Sequence, residues 1–178
     1  MRALIICEHD GKGIRLGSRS AITFANAVAA QNSGDIECLL VGHALSGVAQ
    51  DASAYAPVLA ADHPALANPV ADRYAKVIAD TVKQRGCDLV VAAATTFAKD
   101  ILPRVAGLLA GAMASEVIGH EFRDGRLCLR RPLFAGAVVA TVDDIARVEA
   151  RAGRKPLVVA TAAPTNRASS LAEIGRLF

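Results

Sequence analysis

Short apolar runs alternate with helical patterns through the first two-thirds of this chain. Residues 3–7, 36–41, 57–61 and 88–93 are rich in Ala, Val, Leu, Ile and Cys and read as strands, most of them buried on both faces. Between them, Ile22, Ala25, Val28 and Ala29 recur at helical spacing, as do Val70, Tyr74, Val77, Ile78 and Val82 within residues 68–85. Ser18 or Ser20 is the expected cap of the first helix, Asn32-Ser33-Gly34 its end, and Gly86 the close of the helix over 68–85. A short alanine-rich helix is expected after Gly42-His43. Strand–helix alternation of this kind implies right-handed crossovers, a mostly parallel sheet and helices on both of its faces.

The most informative stretch is residues 90–106. It begins as a buried strand and ends as a helix with Ile101, Leu102, Val105, Leu108 and Leu109 on one face. Proline is tolerated in the first helical turn and not deeper, so Pro103 places the helix start at Asp100 as N-cap, with residues 95–99 as a connecting loop. The junction falls where open α/β sheets bind ligands, at the carboxyl ends of the strands. Thr95, Thr96 and Lys99 therefore have two readings. They can bind an anion beside a helix N-terminus, or they can cap the helix and face solvent.

After Gly111 the pattern changes. Residues 114–118 read as a strand, residues 121–131 as a hairpin turning at Asp124-Gly125, and residues 136–142 and 156–161 as further strands. The expected division is one α/β domain over residues 1–162, with an added hairpin and strand region in its last third, and a tail or linker over 163–178.

Composition narrows the functional classes. Apolar residues make up 53% of the chain, enough for a sizeable core, and aromatics only 4%, too few for nucleic-acid stacking platforms. A net charge of +3 argues neither for nucleic acid nor for a membrane surface, and no apolar run is long enough to span a bilayer. Cys7, Cys38, Cys87 and Cys128 are scattered and form no C-x-x-C, which suits reduced, buried thiols and a cytoplasmic location. No nucleophile–base arrangement or strand–nucleophile–helix elbow is visible, so an enzyme is not expected.

At the carboxyl edge, Glu8, Gly42, Thr95, Thr96 and Lys99 form a candidate adenine-nucleotide site, with Glu8 accepting from ribose hydroxyls. His9, His43 and His63 follow three neighbouring strands, but their loops differ in length and no metal site is expected. Arg123, Arg126, Arg130 and Arg131 concentrate at the hairpin, with Arg126 and Arg130 on one face. With Phe134 they make a candidate partner interface; the alternative is a charged sheet edge kept soluble.

The run from Ala94-Thr95-Thr96-Phe97 through Lys99-Asp100 to Pro103-Arg104-Val105-Ala106 resembles the amino-terminal domain of the α subunit of electron transfer flavoprotein. Arg130-Arg131-Pro132-Leu133-Phe134-Ala135-Gly136 and Ala140-Thr141-Val142 agree with the same family in the same order, as do Val41-Gly42 and Ala60-Ala61-Asp62. The resemblance runs from the first strand to about Thr161 and does not include the family's glycine- and serine-rich FAD-binding half. It implies a Rossmann-like fold of the adenine nucleotide alpha-hydrolase-like type and a scaffold domain that pairs with a β-type subunit. The resemblance further implies that FAD belongs to the assembled complex, is not held tightly by this chain alone, and receives electrons from acyl-CoA or related dehydrogenases. The alternative is a stand-alone adenine-nucleotide-binding module, with AMP as its ligand.

Overall fold

A computed structural model describes residues 1–142 and 156–161. The principal sheet is six-stranded and parallel, in the order β3-β2-β1-β4-β9-β5. Its strands are β1 (Arg2–Ile6), β2 (Asp35–Gly42), β3 (Val58–Asp62), β4 (Leu89–Ala93), β5 (Met113–Val117) and β9 (Leu157–Thr161). The buried apolar runs account for this placement. Every residue of β4 and of β9 is buried, as central parallel strands require. Among the described residues the α-helices are α1 (Leu16–Ala30), α2 (Ser46–Ser53), α3 (Ala71–Arg85) and α4 (Thr96–Leu109).

Two cores result from the alternation of side chains along each strand. On one face Leu4, Ile6, Val90, Ala92 and Val158 join Ile78 and Val82 of α3 and Leu102 and Val105 of α4. On the other, Ile5, Leu40, Val91 and Val159 join Ile22, Ala25 and Val28 of α1 and Val48 of α2. The result is the expected three-layer Rossmann-like arrangement. A second, antiparallel sheet is made by β6 (Gly119–Arg123), β7 (Arg126–Leu133) and β8 (Val138–Val142), in the order β6-β7-β8. Its hairpin turns at Asp124 and Gly125, both with positive φ (50° and 75°), as a type I′ turn requires. Leu129 of β7 enters the α1-side core and is fully buried, which fastens the small sheet to the domain.

Four local expectations are corrected. α4 begins at Thr96, not after Asp100. Thr95 holds extended geometry (φ −86°, ψ 167°) and its Oγ1 accepts from the Ala98 N–H at 3.3 Å, so a threonine cap one strand-length earlier outcompetes Asp100. Pro103 consequently lies inside α4, where the Lys99 carbonyl goes without its usual donor. Leu108 is not on the buried face but 52% exposed, because the stripe runs through Leu102, Val105, Ala106 and Leu109. Neither Ser18 nor Ser20 caps α1; Arg15 is the N-cap residue, and the buried Ser18 hydroxyl instead donates to the Glu8 carbonyl at 3.0 Å. The strand expected over 136–142 is shorter, preceded by a 3₁₀ turn at Phe134–Gly136. The expected tail over 163–178 lies outside the described residues.

Candidate functional site

The carboxyl ends of β1 and β4 flank the point where strand order reverses, which is where open α/β sheets place their ligand crevice. Two side chains meet across it. The Thr95 hydroxyl donates to Glu8 Oε2 at 2.7 Å while its oxygen accepts the α4 cap bond. Arg15, at the start of α1, pairs with Glu8 Oε1 at 3.3 Å. One carboxylate thus ties the β1 loop to the N-termini of two helices on opposite faces. Thr95→Val removes both the cap and the cross-link. It is expected to cost about 1–2 kcal/mol, read as a lower urea midpoint at unchanged slope.

The loop after β1 is built around Asp10. Its Oδ1 accepts from the Lys12 and Gly13 N–H groups at 2.9 and 3.1 Å, with Gly11 at φ 88°. Those backbone donors hold the Asp10 carboxyl below its ordinary value. His9 folds back under β2, and its Nε2 lies 3.1 Å from the Val41 carbonyl oxygen. Donation to that carbonyl leaves Nδ1 as a bare acceptor, buried and without a hydrogen-bond partner. Gly42 leaves little spare room for a side chain. A Cβ there would sit 3.1 Å from His9 Nε2 and 3.0 Å from Leu45 Cδ2.

Beside these groups a cavity of about 480 Å³ opens over the ends of β1 and β2. Glu8, His9 and Gly42 form part of its lining, with Tyr74 and Phe97 on the α3–α4 side. The Tyr74 hydroxyl donates to the Leu66 carbonyl at 2.8 Å, and its ring meets Phe97 edge to face at 6.0 Å. Burial raises the Tyr74 phenol above its ordinary value.

The structure therefore brings Glu8, Gly42 and Thr95 together, with Glu8 and Gly42 on the cavity wall. Thr96 and Lys99 stand apart from that lining, in the first turn of α4. Lys99 reaches away to pair with Glu116 on β5. Sequence reasoning missed Phe97 and Tyr74. Phe97 sat in view inside the Thr-Thr-Phe run, but only the early helix start turns it toward α3.

The three histidines do not converge. His9 engages Val41, His43 Nδ1 lies 3.3 Å from Asp62, and His63 Nδ1 accepts from the Ala65 N–H at 3.1 Å. Among the described residues no group of three or more His, Cys, Asp or Glu side chains is arranged to hold a metal. Asp62 has a different task. Its carboxylate accepts from the Leu45 and Ala44 N–H groups, each at 2.8 Å, and so caps α2 from the neighbouring strand. The Leu45 N–H above all, then that of Ala44 and the nearby His43, hold the Asp62 carboxyl below its ordinary value.

The four cysteines are free and buried. A hydrogen bond with Cys38, then burial, raises the Cys7 thiol far above its ordinary range, and burial pushes the Cys87 thiol to about 11.

At the small sheet the arginines divide between its faces. Arg126 and Arg130 are exposed, whereas Arg131 is partly buried and donates to Ser115 Oγ at 3.4 Å. Phe134 is 81% exposed, with Val138 and Val139 half exposed beside it. Among the described residues no helix is long and apolar enough to cross a membrane.

A parallel sheet with this strand order and a polar crevice at its carboxyl edge defines a Rossmann-like α/β domain. The model of the electron transfer flavoprotein domain matches residues 3–168, and the chain belongs to that family. The chain is similar to the electron transfer flavoprotein subunit alpha of Pseudomonas aeruginosa, 33% identical over 152 residues, covering 84% of this chain and 46% of that protein. The Bacillus subtilis subunit alpha is 28% identical over 168 residues, covering 92% and 49%. The mitochondrial subunit alpha of Oryza sativa subsp. indica is 30% identical over 145 residues, covering 78% and 39%. The chain thus spans about half the length of the curated relatives it matches, or somewhat less.

Proposed function

We propose that this chain acts as a scaffold domain of an electron transfer flavoprotein. In this reading it pairs with a β-type subunit, and the redox chemistry belongs to FAD held in the assembled complex. Electrons arrive from acyl-CoA or related dehydrogenases, and the chain itself supplies no catalytic residue. The family membership and the similarity to α subunits support the assignment.

The observation that carries the partner proposal is the exposed apolar surface at the β7–β8 end of the small sheet. Phe134 is 81% exposed, and Val138 and Val139, which point to opposite faces at the start of β8, are each about half exposed. Its backbone is also unusual, since Phe134 and Ala135 both have positive φ, at 52° and 54°. Bulky residues avoid that region unless their surroundings hold them there. Arg126 and Arg130 stand on the same sheet, and Arg131 fastens it to β5. Exposed aromatics and arginines are residue types enriched at protein interfaces.

The test is co-purification with a β-type subunit, followed by the absorbance spectrum with added FAD. The expected result is a one-to-one complex that retains flavin and a lone chain that stays colourless. A lone chain that holds FAD through gel filtration contradicts the scaffold reading.

A further inference from the structure

We propose that residues 162–178 of this chain dock, as an amphipathic helix, in the apolar groove between α1 and the β5–β6 turn. This goes beyond the scaffold role and does not depend on it. The groove, the point where the segment is attached and the pattern of the segment carry it together.

The groove encloses about 360 Å³. Phe24 and Ala27 of α1 stand on one side of it, and Val117, Ile118 and His120 on the other. No Asp, Glu, Lys or Arg is on its lining. Burial lowers the His120 imidazole from its ordinary value, which favours the uncharged ring. The polar atoms of the lining are already engaged. The Ser20 and Thr23 hydroxyls donate to the Leu16 and Arg19 carbonyls at 3.5 and 3.0 Å, and the Thr161 hydroxyl to the Ala92 carbonyl at 3.3 Å. His120 Nε2 lies 3.3 Å from Gln31 Nε2. What remains for an occupant is methyl groups and ring edges, with Ala27 exposed and Ile118 about half exposed. That surface suits apolar side chains and offers little to a polar ligand.

The attachment point selects the occupant. Thr161, the last residue of β9, is itself on the lining, so residue 162 follows directly from the groove. An α-helix of the length of α1 is about 22 Å long, and the residues from 162 to Leu171 span up to about 30 Å when extended. The segment therefore reaches every part of the groove. A short tether also holds it there at roughly millimolar effective concentration, ahead of any free partner.

The segment has the complementary pattern. Leu171, Ile174 and Phe178 recur at i, i+3 and i+7, with Leu177 beside them, and Glu173 and Arg176 fall on the opposite side of such a helix. Ser170 and Glu173 have the spacing of a capping box immediately before that stripe. A helix this short is marginal by itself in water and draws its stability from packing its apolar face. An uncharged groove beside its own attachment point supplies that packing.

Hydrogen exchange followed by mass spectrometry tests this on the full chain. The expected result is that amides of residues 171–178 exchange at least tenfold slower than the unstructured rate. Ile174→Asp on the segment and Ala27→Asp on the groove are each expected to restore the unstructured rate there, with the amides of β4 unchanged. If Ala27→Asp fails to fold, Ile118→Ser is the second groove variant, with the same expected loss. Exchange of residues 171–178 at the unstructured rate in the unaltered chain overturns the proposal. So does protection that survives the groove variant, which would place the segment elsewhere. Protection that disappears on dilution of about a hundredfold also overturns it, since the contact would then be with a second copy.

Discussion

Leu102→Ala is expected to lower the stability of the domain by about 2–5 kcal/mol, the range for a large-to-small change at a fully buried site. Leu102 is fully buried in α4, in the cluster that joins Ile78 and Val82 of α3 to Val90 of β4 and Val158 of β9. The cluster spans two helices and two central strands, so it has little freedom to collapse around the missing atoms. Denaturation in urea should show a lower midpoint with an unchanged slope. A loss below about 1 kcal/mol would mean that α4 is not seated on the sheet as described.

Gly111→Ala carries the second large effect. A Cβ at this position would lie 2.3 Å from the Pro156 carbonyl oxygen, a backbone atom with no rotamer to swing away. Next to it the Ala112 carbonyl accepts from the Val158 N–H at 2.9 Å, so the clash acts on the seam that seats β9 beside β5. The expected loss is roughly 1–3 kcal/mol, or more if β9 is displaced outright. Gly107→Ala is the matched control. Gly107 lies inside α4 with nothing within 4 Å of a new Cβ, so alanine there should stabilise by about 0.5–1 kcal/mol. Equal effects at the two glycines would contradict the packing of β9.

Much of this architecture is written in local pattern. The runs ending in Cys7, Val41 and Ala93 are apolar on both faces because parallel strands covered by helices have no solvent side, and they occupy the sheet as the pattern implied. Gly86 closes α3 in the left-handed conformation (φ 62°), and Asp124-Gly125 turns the hairpin. What was not legible depends on distant partners. The place of β9 between β4 and β5 is set by sheet pairing between residues more than forty positions apart, which no window of sequence contains. The start of α4 is not legible from Pro103, because the rule against proline deep in a helix treats the helix in isolation. In the fold, Thr95 is held by Glu8 from 87 residues away, and that bond together with the cap fixes the helix start upstream.

The candidate site was legible in the same uneven way. Glu8, Gly42 and Thr95 stand at one edge because residues after parallel strands gather there whatever their loops do. Lys99 belongs to that edge only if residues 95–99 form a loop, and in the structure it lies inside α4. Its salt bridge to Glu116 depends on a bulge in β5, where Glu116 takes a positive φ of 56° and the register with β9 shifts. Asp62 as a cap for α2 was likewise invisible, since the capping carboxylate comes from the next strand rather than from the turn before the helix.

The central claim is that this chain is an electron transfer flavoprotein scaffold domain that docks through its small sheet. The most direct test is the affinity of the purified chain for a β-type subunit, compared with that of Phe134→Ala. The account predicts a one-to-one complex and a variant at least tenfold weaker, with its melting temperature unchanged because Phe134 is 81% exposed and removes little from the core. No complex at micromolar concentrations, or a complex indifferent to Phe134, Arg126 and Arg130 alike, would contradict it.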